Sequence, residues 1–233
     1  MKRVSNVVRM QLINRETYIW SPLIILGGAF LITLAIYGII LSAGVDGDMY
    51  GGGAQAPLWY FAIVGVQALT LTFPFSQAMS VTRREFYLGT LLTAALTAGI
   101  LAIVFVIGGL VEELTGGWGF GGYFFYLPWV WEAGPLGAAA FFFILAMVFF
   151  VIGFAAATIF KRFGMMVLSV VLITLTLLLL GAIWLITANG SWMDVWAWFA
   201  EAGVVGLTLW GALLTAVLGV LSYFALRRAV PER

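Results

Sequence analysis

The sequence predicts an all-α membrane protein: six transmembrane helices, an N-terminal interfacial helix, a short cytoplasmic helix between spans two and three, and an outer amphipathic or re-entrant helix before the last span. Three observations lead there. Of 233 residues, 64% are hydrophobic and 9% are charged, with a mean hydropathy of +1.11; soluble domains carry about 25% charged residues. The apolar residues gather into six runs, each near the roughly 20 residues that cross about 30 Å of hydrocarbon. The few charges are sorted by sign between the two ends of those runs.

The first element, residues 1–19, places Val4, Val7, Val8 and Leu12 on one helical face and Lys2, Asn6, Arg9 and Glu16 opposite, with Met10 and Ile13 blurring the division. That pattern suits a helix in the inner interface with its cations near anionic headgroups, or more simply a polar lead-in to the first span. Lys2–Glu16 is too polar for a cleavable signal peptide, and none is expected. The spans follow at Trp20–Leu41, Pro57–Met79, Leu88–Val111, Pro135–Phe160, Phe163–Thr187 and Gly203–Leu226. Ser21-Pro22 reads as an N-cap followed by proline at the first helical position, and Pro57 and Pro135 hold equivalent places. Pro74 should kink span two or loosen its inner end. Lys161-Arg162 leaves a tight turn between spans four and five.

Orientation follows from the basic residues. Lys2, Arg3, Arg9 and Arg15 precede span one, Arg83 and Arg84 lie between two and three, Lys161 and Arg162 between four and five, and Arg227, Arg228 and Arg233 after six. All 11 basic residues thus fall on one side. Asp46, Asp48, Glu112, Glu113, Glu132, Asp194 and Glu201 fall on the other. Both termini, including the tail 227–233, are expected in the cytoplasm, and the chain in the plasma membrane as a single domain.

Several chemistries are excluded. With no cysteine and no histidine, the chain has no disulfide, thiol nucleophile, zinc thiolate site or Ser-His pair. The lysines, Lys2 and Lys161, do not follow glycine, so there is no Walker A loop. No ionisable residue sits mid-span, which argues against proton- or sodium-coupled transport. Glu112-Glu113 reads as a pair of solvated end-of-span acids, with cation binding the lesser alternative.

The short elements outside the spans carry the more specific signals. Thr82, with Glu85 three residues later, fits a capping box; a short helix starting there would present Arg83 and Arg84 and lead through Phe86, Tyr87 and Leu88 into span three. The bland alternative is that the arginines only anchor topology. At Ser191–Gly203, Ser191 and Asp194 repeat the capping pattern, and Trp192, Val195, Trp196 and Phe199 follow i, i+3, i+4, i+7. These tryptophans, with Trp118, Trp129 and Trp131, also fit an interfacial aromatic belt. The glycine-rich stretches "DGDMYGGG" and "TGGWGFGGYFF" read as flexible external connections.

In this order and sidedness the chain resembles the membrane-spanning permease subunits of type 2 ABC exporters. The resemblance rests on the interfacial helix, "VTRREFYLG" as a coupling helix, the "KRFG" turn, and the outer segment before span six. It implies an ATP-driven exporter of an amphipathic or hydrophobic compound (drug, antibiotic, peptide or lipid). The chain itself would be no enzyme and hold no cofactor; ATP and Mg would bind two separate ABC ATPase subunits. A second permease, identical or related, would complete the pathway, with membrane lipids around it and no nucleic acid bound. The resemblance makes Thr82–Tyr87 the coupling handle: Arg83 and Arg84 pair with acids on the ATPase, Glu85 caps, and Phe86 or Tyr87 fills a pocket. Gln67, Thr70, Thr72 and Gln77 on span two are candidate lining for a substrate path, though such residues also bind neighbouring helices. Two other classes stay open: a non-transporting sensor, immunity or assembly protein, and an ATP-independent channel or facilitator.

Overall fold

The computed structural model describes residues 2–44 and 47–227, with Lys2 by its backbone alone. Asp46, Arg228, Arg233 and the Lys2 side chain, all used above to orient the chain, lie outside the described residues. About 89% of the structure is helical. The α-helices are α1 (Lys2–Ile13), α2 (Ser21–Ser42), α3 (Ala56–Gln67), α4 (Phe73–Ala78), α5 (Arg83–Thr115), α6 (Pro128–Trp131), α7 (Gly134–Ala188) and α8 (Trp192–Arg227). Two short strands, β1 (Met49–Tyr50) and β2 (Gly122–Tyr123), pair in parallel. Among the described residues, five helical runs are long and apolar enough to cross a membrane: Glu16–Ser42, Gly52–Ala78, Arg83–Thr115, Gly134–Ala188 and Trp192–Arg227.

Two of these runs carry a proline just after a π-helical turn, and each absorbs it in the same way. Pro74 lacks an N–H and its ring crowds the carbonyl four residues back; that residue, Thr70, lies in a π-helical turn, Ala68–Thr72, between α3 and α4. Pro22 follows another π turn, Glu16–Trp20, which contains the residue four before it, Tyr18. The wider turn accommodates the ring without breaking the run. Ser21 is therefore not an N-cap: its backbone is already helical (φ −62°, ψ −46°), because the helical run begins five residues earlier. Pro135 does stand in the first turn of α7, where the missing N–H would have had no partner, whereas Pro57 follows the short 3-10 turn Gly52–Gln55, which carries the helical run into α3.

The break in the 55-residue α7 falls at Gly164 (φ 84°, ψ 176°). Lys161 and Arg162 remain helical, so the turn belongs to the glycine, which alone tolerates that backbone conformation. Gly203 (φ 56°, ψ −172°) breaks α8 likewise and sets off the arm 192–202 from the final stretch, where the sequence placed the outer amphipathic helix. That arm starts with a turn bond from the Val195 N–H to the Ser191 carbonyl, 3.2 Å. Trp192, Trp196 and Phe199 are exposed on it, and Trp198 packs on Trp210 with ring centres 6.2 Å apart.

The core lies between α3, α5 and the first arm of α7. At the α3–α7 crossing Gly65 and Gly153 face each other, and a Cβ on either would strike the other helix's backbone. Phe61, Val64, Phe150 and Phe154 are buried with them. The final stretch of α8 joins through Gly211, which faces Ile144 and Val148 of α7. By contrast, no residue of the second arm of α7, 165–188, is buried, and most of its leucines and isoleucines, with Trp184, are exposed.

The apolar face of α1 is not free for the bilayer. It packs on the start of α5, with Val7 seated against Gly89. Beside them Gln11 is buried and donates its side-chain amide to the Thr90 hydroxyl at 2.8 Å.

Candidate functional site

Elements far apart in sequence meet at the basic end. Thr82 (φ −70°, ψ 151°) caps α5: its hydroxyl accepts the Glu85 N–H at 3.3 Å, while the Glu85 carboxylate accepts the Thr82 N–H at 3.1 Å and the Thr82 hydroxyl at 2.8 Å. The reciprocal cap read from sequence is therefore present. The helix it starts is not a separate short element, however, because α5 continues without a break from Arg83 to Thr115. Thr82→Ala is expected to cost about 1 kcal/mol, seen as a lower thermal midpoint; an unchanged midpoint would show that the cap contributes nothing.

The residues after the cap divide by face. Arg83 turns toward α8 and donates to the Arg227 carbonyl at 2.8 Å and the Leu226 carbonyl at 3.4 Å. The guanidinium thus bridges the first turn of α5 to the backbone of α8. Arg84 is exposed. Glu85 also faces Arg3, 3.9 Å away, in a long surface pair that water screens. Phe86 and Tyr87 correct the sequence reading. Phe86 is fully buried edge-on to Phe73, and Tyr87 is buried, donating its hydroxyl to the Gly219 carbonyl at 2.7 Å and packing on Phe154 and Tyr223. Neither ring is available to fill a pocket on another protein.

The four path residues on span two lie from the end of α3 to α4. All are half-buried. Thr70 donates to the Val66 carbonyl of its own helix at 2.9 Å, and Gln77 donates to the Val81 carbonyl at 3.0 Å. Thr72 stands beside the Tyr18 hydroxyl.

The opposite end holds a feature that sequence reasoning missed. Glu112 is not solvated but completely buried, and only Glu113 is exposed. One Glu112 oxygen accepts the Trp118 indole N–H at 2.8 Å and the Phe124 N–H at 3.0 Å. The other accepts the N–H groups of Phe124, Phe125 and Tyr126 at 3.0, 2.7 and 2.7 Å. Three successive amides aimed at one carboxylate form an anion nest. A site built of N–H donors repels a cation, so this acid is no metal ligand.

The nest holds the glycine-rich loop in place, and the two stretches expected to be flexible connections are joined in β1–β2. Tyr50 and Tyr123 stack there with ring centres 5.2 Å apart. Burial, and next the charge of Asp48, push both phenols above their ordinary range. Beneath the nest Phe30, Phe105, Phe124 and Phe125 pack edge to edge or tilted. Trp131, read from sequence as part of an aromatic belt, is buried against Gly109 and Tyr126, whereas Trp129 is exposed.

Comparison with protein-family models, curated proteins and solved structures finds no match to this chain. The functional reading therefore rests on its own residues.

Proposed function

We propose that the chain is the membrane-spanning subunit of an ATP-driven ABC exporter, moved by separate ATPase subunits and paired with a second permease. Dividing α7 at Gly164 makes six crossings, with both termini and the Thr82 cap on the cytoplasmic side, as the one-sided basic residues require. The observation that carries the reading is the capped start of α5. The reciprocal cap fixes the first turn, Arg84 projects from it, and the helix behind it runs 33 residues, roughly 50 Å at 1.5 Å per residue. Arg83 and Tyr87 tie the same turn to α8. A push on Thr82–Glu85 is thus delivered to two spans at once rather than absorbed in a loop. Arg84 takes the role of contact with an acidic group on the ATPase; Arg83 holds the lever together.

The test is co-expression with candidate soluble ABC ATPases, followed by purification in nanodiscs. The wild-type chain is expected to retain an ATPase and stimulate its hydrolysis. Arg84→Glu is expected to reduce both at least tenfold with the thermal midpoint unchanged, and Arg83→Glu to lower the midpoint as well. Full binding and stimulation by Arg84→Glu would overturn the role given to that residue.

A second reading is a non-transporting sensor, immunity or assembly protein with the same topology and the same capped start of α5. A folded chain that binds no ATPase would select it.

A further inference from the structure

Alongside the capped turn an open groove of about 1230 Å³ runs between α1 and the first turns of α5. It exceeds the roughly 300–1,000 Å³ typical of small-molecule pockets, and its two ends differ in chemistry. Arg3, Ser5, Thr82 and Arg84 line one end, while Leu88, Leu92 and Leu96 continue along the other. Arg84 and the three leucines recur every fourth residue, so they form a single stripe on α5. The leucines are 42%, 45% and 46% exposed, and from Leu88 to Leu96 they run about 12 Å.

We propose that this groove holds one anionic phospholipid, with its phosphate between Arg3 and Arg84 and an acyl chain along Leu88, Leu92 and Leu96. The charge balance supports the headgroup. Two guanidiniums face a single carboxylate, Glu85, which Thr82 already satisfies twice, and guanidinium matches phosphate with two parallel hydrogen bonds. The leucine stripe supports a lipid over a protein occupant: α5 is apolar enough to cross the membrane, and a soluble partner seated on Arg84 cannot follow Leu92 and Leu96 into hydrocarbon. Arg3 exchanges its long, exposed contact with Glu85 for the phosphate. The inference does not rest on the exporter reading: the phosphate is the partner of Arg84 when no ATPase is docked, and the test contains no ATPase.

The experiment places the purified chain in nanodiscs of phosphatidylcholine with a minority of phosphatidylglycerol, then counts by native mass spectrometry the lipids that stay bound after release. One phosphatidylglycerol per chain is expected to persist, favoured about tenfold over phosphatidylcholine, or about 1.4 kcal/mol. In Arg3→Ala/Arg84→Ala the preference is expected to vanish. In Leu92→Trp, which fills the acyl track from an exposed position, retention of both lipids is expected to fall. Equal retention of the two lipids by the wild-type chain, which needs no variant to fold, would overturn the proposal and mark the groove as ordinary lipid annulus. So would displacement of the lipid by glycerol 3-phosphate alone, or selectivity that survives in the double arginine variant.

Discussion

Glu112→Gln is expected to melt the glycine-rich loop around the nest while leaving the helix bundle assembled. The carboxylate takes four N–H donors on two oxygens, all within 3.0 Å. An amide keeps one oxygen and turns two hydrogens of its own toward the rest. Whichever way it is oriented, at least one former donor, Trp118 or one of the amides 124–126, then meets an N–H. Each buried group left unpaired costs about 1–3 kcal/mol, and the surviving bonds lose the assistance of charge. A net loss of about 3 kcal/mol is expected, confined to the loop, because the carboxylate touches no backbone group of α3 or α7. The balance in the native chain is itself informative. An acid in the last turn of a helix opposes the helix dipole, so the nest must outweigh both that repulsion and the burial of a charge. Hydrogen exchange reads the outcome locally: the amides of Phe124, Phe125 and Tyr126 should exchange slowly in the wild-type chain and quickly in the variant. Protection unchanged in Glu112→Gln would show that something other than this carboxylate holds the loop.

What the sequence revealed and what it concealed divide along a physical line. Apolar runs and the Thr82–Glu85 cap are local: each is specified by residues within a few turns of one another, and each appears in the structure. The Glu112 nest was hidden because its partners are mostly backbone amides, which every residue owns and no motif announces. The remaining signal was an acid followed closely by a glycine-rich turn and an aromatic run, a pattern that reads equally well as a loop. Phe86 and Tyr87 were misassigned for a different reason. Treated as a separate short helix, the segment has no inward face. Treated as the start of α5, Phe86 shares a face with Thr90, Thr93 and Thr97, and Tyr87 with Ala94, Ala98 and Leu101, all of them buried. Helical spacing would then have sent both rings inward and left Arg84, Leu88, Leu92 and Leu96 outside. Gln11, whose partner Thr90 lies 79 residues away, could not be paired from sequence at all.

The largest effect is expected at the α3–α7 crossing. A Cβ on Gly153 would strike the Ala62 carbonyl, with the carbonyl carbon at 2.7 Å; one on Gly65 would strike the Phe150 carbonyl and come within 2.8 Å of the Phe154 nitrogen. These obstacles are backbone atoms inside helices, so no side-chain rotation relieves them and the two helices must move apart. Close approach through small residues is the main source of helix association in lipid, where burial of apolar surface gives little driving force. Gly153→Ala is therefore expected to cost about 3 kcal/mol, the upper end for overpacking, and Gly153→Leu to yield no monodisperse protein. Gly99 of α5 supplies the control, since an added Cβ there meets nothing within 4 Å. Gly99→Ala should be neutral or gain about 0.5–1 kcal/mol by removing glycine from a helix interior. A thermal-unfolding series in one detergent decides the matter, and equal midpoints for Gly99→Ala and Gly153→Ala would refute the close crossing. The double variant sharpens it. Once Gly65→Ala has forced the helices apart, Gly153→Ala finds part of its space already made, so the double variant should lose less than the sum of the two single losses by at least about 0.5 kcal/mol. Strict additivity would mean that the two glycines do not share one interface.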